Sequence, residues 1–304
     1  MIIEVLMIVI PSLLAAVGMP LAGALTRYRA HYNPIRIQLN EQSRSSNESP
    51  VTGYFSTLKR IYQGWLGLYK GTWPSFLSFV FTLLVLQGFD GGVGGKVPWK
   101  SDQRGVVQNL MIVIFTLAIK IPLDVLKNRA IVTPYKLSFF NPKAGFHLLL
   151  SPTERAKPWK LYSLPGLLPT YLAQFLVPMA MMMARMFLLA VKNKNDLNSP
   201  LFMAAAIGFL FFALGCSVVQ APLEVVYVRL SIQRHRSENE SFEAEEAQKY
   251  GVELYSKENE VITLKDEEAP YDGLWDCTST IFEEEGWRTL FRAWWITAIG
   301  VYVF

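Results

Sequence analysis

Three blocks of this chain repeat one another. Around Pro20 the sequence reads MPLAGALTRYR, around Pro122 IPLDVLKNR and around Pro222 APLEVVYVR. The prolines lie about a hundred residues apart. Each is followed by leucine, and an arginine stands at the same distance beyond each, at Arg27, Arg129 and Arg229. A second block recurs in step: GWLGLYKGTWPSFL (64–77), KLYSLPGLLPTYL (160–172) and GWRTLFRAWWITAI (286–299) each place a Leu-aromatic pair shortly before an apolar run. Two kinds of block in register three times over constrain the fold to three structurally equivalent units.

The intervening segments are apolar. Stretches of membrane-spanning length, which need about 20 residues, occur at roughly 2–27, 72–89, 105–127, 166–191 and 201–226. The chain is 51% hydrophobic and 18% charged, below the quarter or so expected of a soluble domain. The start, Met-Ile-Ile-Glu, has no basic region and no small-residue cleavage site after a short apolar core, so a cleaved secretory signal is not expected. Cys216 and Cys277 are far apart and lack ligand spacing, which argues against a disulfide framework or a metal site. No cofactor motif and no nucleic-acid interface is expected.

Charge is unevenly spread. Residues 27–70 carry seven Lys/Arg against two acids and 127–163 seven against one, whereas 229–292 carry 16 acids against eight bases. Asp124 and Lys127, three apart, share one helix face. At membrane depth such groups should face a bundle interior or a watery cavity, so kinked helices carrying them could close a gate at one end of a barrel. The bland alternative for the outer arginines is a positive flank that merely ends a span. A helix-interior proline bends each helix, and neighbouring packing repairs the defect in membranes.

These motifs resemble the mitochondrial carrier family. Its signature, Pro-x-Asp/Glu-x-x-Lys/Arg-x-Lys/Arg, ends each odd helix, and an acid-Gly element and an aromatic-Lys/Arg-Gly element lead into each even helix. PLDVLKNR matches every position of the signature; the outer copies are degraded. The resemblance implies an all-α membrane protein of three tandem repeats (about 1–99, 100–199 and 200–304) in one domain. Two transmembrane helices per repeat would form a six-helix pseudo-threefold barrel with short matrix-side surface helices. It implies transport of an unknown small solute, no enzymatic activity, and residence in the mitochondrial inner membrane. Broken motifs keep open a non-transporting scaffold, fusion or insertion factor, with the outer membrane as the alternative location.

Carried over residue by residue, the resemblance puts the matrix gate at Pro20, Arg27, Pro122, Asp124, Lys127, Arg129, Pro222, Glu224, Tyr227 and Arg229. The cyclic pairing would set Lys127 against Ala22, Asp124 against Tyr227 and Glu224 against Leu25, so no expected ion pair forms as drawn. Solute-contact positions fall at Ser78, Ala173, Gln174, Gly300 and Val301, and none is charged. A remnant of the intermembrane-space gate falls at Asp90 and Arg185. Lipid, cardiolipin in the family, would sit at Lys70, Gly71 and Arg292, where free N–H groups favour phosphate.

The coarse map is helical: 2–29, an amphipathic segment at 52–62, 72–89, 104–130, a surface helix, 166–191, 201–231, 272–284, and a last helix from near Arg292. Segment 40–50 reads as a flexible loop, and 90–102 as a Gly-rich turn. The acidic segment 238–268 reads as a solvated helical or disordered insertion that could meet a protein partner. His31, His147 and His235 have no partners at catalytic spacing. After Ala293, WWITAIGVYVF spans well under about 20 Å at ~1.5 Å per residue, against a hydrocarbon core of ~30 Å. The sixth helix is therefore expected to stop short and leave an open seam between helices 5 and 1.

Overall fold

The computed structural model describes residues 18–34, 53–62, 69, 71–78, 80–81, 106–137, 142–194, 199–234, 242–253, 263–265 and 269–303. They are mostly helical. In chain order the helices are α1 (18–30), α2 (Tyr54–Tyr62), α3 (72–78), α4 (Val106–Val132), α5 (Pro142–Leu149), α6 (Pro152–Ala156), α7 (Leu167–Lys194), α8 (Pro200–Ile232), α9 (Phe242–Tyr250), α10 (Leu274–Glu285), α11 (Trp287–Leu290) and α12 (Trp294–Val303). The chain divides into two compact units. The first is Met1–Tyr28, Val51–Ser163 and Arg234–Ile262; the second is Arg29–Pro50, Leu164–Gln233 and Thr263–Phe304.

In the first unit, α4 keeps its course through Pro122. Proline has no N–H to give the carbonyl one turn back, at Ala118. The Tyr162 hydroxyl donates to that carbonyl instead, and partial burial raises its phenol above the ordinary range. The lost backbone bond is thus replaced from outside the helix. Further along, the run Ser151-Pro-Thr-Glu154 builds the start of α6. Ser151 Oγ accepts from the Glu154 N–H at 3.3 Å, and Glu154 Oε2 accepts from the Ser151 N–H at 3.0 Å. This reciprocal cap, with proline at the first helical position, follows from the local sequence.

Over Phe242–Tyr250 the acidic segment is helical, as one of the two expected forms, and Glu245, Gln248 and Lys249 are exposed, but its other side is packed within the first unit. Ala247 packs with Tyr135 and Leu148 in one buried cluster. Glu246 lies 3.0 Å from Arg155 and 3.4 Å from His147, and the His147 ring lies against Tyr250. The Lys136 N–H donates to the Glu253 carbonyl at 2.9 Å, and their side chains pair at 2.8 Å. The apolar side of a helix that reads as acidic overall finds a surface that the local sequence does not reveal.

In the second unit, α7 and α8 pack on each other, and α8 also packs on α10 and α12. Ser199 caps α8 by accepting from the Phe202 N–H at 3.2 Å, with Pro200 in the first turn. Two helices among the described residues are long and apolar enough to cross a membrane, Leu167–Lys192 and Pro200–Ile232. Only 11% of each apolar window is buried. A core helix of a soluble protein would be largely covered, so these faces are suited to lipid. Leu176, Met183, Phe187 and Phe211 stand among the most exposed apolar side chains. The expected spans at 2–27, 72–89 and 105–127 lie wholly or partly outside the described residues.

Candidate functional site

Left-handed backbone stands at the start of α3, α7 and α12. Gly71 has φ +81 and Gly166 φ +71, and a Cβ on Gly71 would lie 2.7 Å from Ile131 Cγ1. The third equivalent is Ala293, which keeps φ 56 without glycine's freedom. The lost glycine of Phe291-Arg292-Ala293 therefore does not change the local conformation. It adds strain instead, since a left-handed non-glycine residue costs about 1–2 kcal/mol.

The arginines of the proline blocks turn into the packed fold. All three are buried. Arg129 donates to Glu154 through Nη1 at 2.7 Å and Nη2 at 2.9 Å, and to the Leu149 carbonyl at 3.0 Å. Arg229 holds Glu285 through both guanidinium nitrogens, with Nη2 at 3.0 Å from Oε2. It also reaches the His31 carbonyl at 3.0 Å and the Arg29 carbonyl at 3.3 Å. Arg27 Nε donates to the Ile131 carbonyl at 2.9 Å. Charge buried at such depth needs a partner and satisfied hydrogen bonds. For Arg129 and Arg229 the partner is an acid further along the chain, so one pair staples α4 and the other α8 to the connector that follows it.

Glu154 and Glu285 were not singled out by the sequence analysis. The available signal was their place after an odd-helix arginine and before an even helix. For Glu285 there was also the following glycine, Gly286, at φ +89. Arg292, expected to meet lipid, is turned inward: it donates to the His31 carbonyl, and to Glu285 at 3.2 Å. Glu285 attracts it because one carboxylate can accept several donors, here including the Asn33 N–H at 3.2 Å.

Glu224, which has no base to meet at Leu25, finds another ionic partner. Arg29 Nη2 lies 2.6 Å from its Oε2. Arg29 stands one helical turn beyond Leu25, where the family base is missing, so it shares that helix face. Thr297 of α12 completes the cluster: its hydroxyl accepts from Arg29 at 2.8 Å and donates to Glu224 at 2.6 Å. Asp124 takes the Lys127 ammonium of its own helix at 2.9 Å. Tyr227 lies with its ring 5.5 Å from that of Tyr171.

Two polar side chains of α7, one expected to meet solute and one at the intermembrane-space gate, are bonded to backbone carbonyls. Gln174 donates to the Leu223 carbonyl at 2.7 Å, and Arg185 donates to the Val301 carbonyl at 3.1 Å. Arg185 and Val301 were expected at different heights, but the long guanidinium arm joins them. Ala173 and Gly300 offer no side-chain polar group. Ser78 lies on α3, while Lys70 and Asp90 lie outside the described residues. Beside Gly71 is an apolar cavity of about 110 Å³ lined by Tyr69, Trp73, Leu126, Phe146 and Leu149.

His31 is buried at 8% exposure. Its Nδ1 accepts from the Thr263 N–H at 3.2 Å. Burial, then the charge of Arg292, pulls its pKa down to about 4, with Glu285 opposing. Burial likewise pushes the Cys277 thiol up to about 12, which leaves it inert near neutrality.

Lipid-suited helices joined to connectors by buried arginine–carboxylate staples define a helical protein with two spans suited to a membrane. Residues 200–304, the C-terminal third of the chain, match the family described as Mitochondrial carrier protein. No curated protein matches the chain. The family is one of transporters in mitochondrial membranes, not of enzymes.

Proposed function

We propose that the protein is a divergent carrier that moves a small solute across the mitochondrial inner membrane by alternating access. The Arg29–Glu224–Thr297 cluster is its matrix-side latch. That cluster is the observation that carries the reading. The Arg129–Glu154 and Arg229–Glu285 ion pairs each join two residues of one repeat, although Arg229 also reaches the His31 and Arg29 carbonyls, whereas the ion pair of the latch itself runs from Arg29 of the first repeat to Glu224 of the third. An interaction between repeats is the kind that opening must break. The Glu224 side chain is 26% exposed, so water can replace its partner at a cost a solute could offset.

In this reading three repeats, about 1–99, 100–199 and 200–304, form a six-helix barrel. Asp124 and Lys127 serve the same gate from the second repeat, with Pro20, Pro122 and Pro222 at the bends, and Tyr227 fills the position of the missing third base. Ser78, Ala173, Gln174, Gly300 and Val301 line the solute path, and Asp90 and Arg185 belong to the opposite gate. The apolar cavity beside Gly71 suits a lipid acyl chain; cardiolipin fits that chemistry. A second reading, a non-transporting scaffold in the outer membrane, is favoured by one observation. The polar arms of α7, Gln174 and Arg185, are both bonded to backbone carbonyls.

Uptake into liposomes containing the full chain, against a broad metabolite panel, separates the two. The carrier reading expects saturable uptake of at least one solute, altered by Glu224→Gln. Folded protein that moves nothing in the panel overturns it in favour of the scaffold.

A further inference from the structure

We propose that the latch cluster of the second unit is also a binding site for a small zwitterion of the amino-acid type, which exchanges for the ion pair as the latch opens. This rests on the transport reading above and names its substrate class.

Two buried polar atoms beside Glu224 have no hydrogen-bond partner among the described residues: the donor Nε of Arg29 and the acceptor Oε1 of Gln220. Neither is at the periphery. The Arg29 side chain is 7% exposed, and Gln220 lies one turn before Glu224 on α8. Both side chains flank one carboxylate from opposite oxygens, Arg29 Nη2 at 2.6 Å from Oε2 and Gln220 Nε2 at 3.5 Å from Oε1. The amide nitrogen must be the atom turned to Glu224, because the amide oxygen would repel it. The free oxygen therefore remains an acceptor in want of a donor. A ligand that satisfies the cluster accepts from a guanidinium and donates to an amide oxygen. Buried polar groups are rarely left unpaired, so the vacancy has a defined chemistry.

Charge narrows the class. Separating Arg29 from Glu224 leaves two uncompensated charges at membrane depth, where each is costly. An anion would compensate Arg29 and abandon Glu224; a cation would do the reverse. A zwitterion compensates both, its carboxylate on the guanidinium and its ammonium between Glu224 and Gln220. The loaded site keeps zero net charge throughout. Thr297 is already engaged with both partners, so it positions the pair rather than adding a further contact.

The test uses the full chain in detergent and in liposomes, with L-alanine, L-lactate and isopropylamine as size-matched zwitterionic, anionic and cationic probes. Alanine is expected to raise the melting temperature and bind at least tenfold more tightly than the other two. Arg29→Lys keeps the ion pair but removes Nε, and Gln220→Leu removes the orphan acceptor. Each should weaken alanine binding by about tenfold, the loss of one hydrogen bond to a charged group. Melting curves without ligand show which variants fold, and the wild-type panel decides even if one does not. Preference for lactate or isopropylamine, or no binding of alanine, overturns the proposal whether or not some other solute is transported. Alanine binding without uptake sustains the site and defeats the transport reading instead.

Discussion

Arg129 and Glu154 face each other through two parallel N–H···O bonds of 2.7 and 2.9 Å, with side chains 1% and 0% exposed. The same arrangement recurs between Arg229 and Glu285 in the second unit. Removing one member strands the other charge in a dry site, at a cost of about 3–5 kcal/mol. Glu154→Gln should therefore lower the stability of the detergent-solubilised protein steeply. The double variant Arg129→Met/Glu154→Leu should recover much of the loss. Thermal unfolding of the two variants checks this; equal destabilisation would mean that the charges themselves are not what the fold needs.

Ala293 holds a left-handed backbone where its two counterparts are glycines. Ala293→Gly relieves the conformational strain but loosens the unfolded chain, leaving a net gain of about 0.5–1 kcal/mol. Gly71→Ala should act in the opposite sense and more strongly, because its Cβ would press on Ile131 and lie 3.1 Å from the Lys127 carbonyl oxygen. Melting temperatures moving in the same direction for both would contradict the shared conformation.

His31 makes stability depend on pH. Its pKa is about 4 in the fold, against 6.5 for the ordinary side chain, so the unfolded chain takes up the proton first. The contribution is complete above pH 6.5, declines as pH falls, and levels off below about pH 4. His31→Gln should flatten the fall in melting temperature between pH 6.5 and 4.5. A variant as acid-sensitive as the parent chain would assign the loss to other groups.

Glu246 faces Arg155 and His147 from the docked helix α9. Glu246→Lys sets like charge against both and should release 242–253. Hydrogen exchange in that segment should accelerate by at least tenfold, with α7 and α8 unaffected. Unchanged protection would show that the Tyr135–Leu148–Ala247 cluster alone holds the helix.

The repeat spacing, the apolar runs and the position of each proline block were legible in the chain because they depend on local periodicity. Pro122 sits inside α4 as its neighbours require, and SPTE caps α6 with groups only three residues apart. The family signature also marked Asp124 and Lys127, which lie on one helix face by spacing alone. Pairing across the fold was not legible. Position-by-position transfer set Glu224 against Leu25, yet the ion pair forms with Arg29, because a long guanidinium on the same face reaches what the missing base cannot. Arg292 reads from sequence as a basic residue at a membrane interface. Only the tertiary structure places Glu285 and the His31 carbonyl where they draw it inward. Helix position follows from the residues beside it, but the partner of a buried charge is set by whichever distant group the packed chain brings within hydrogen-bonding distance.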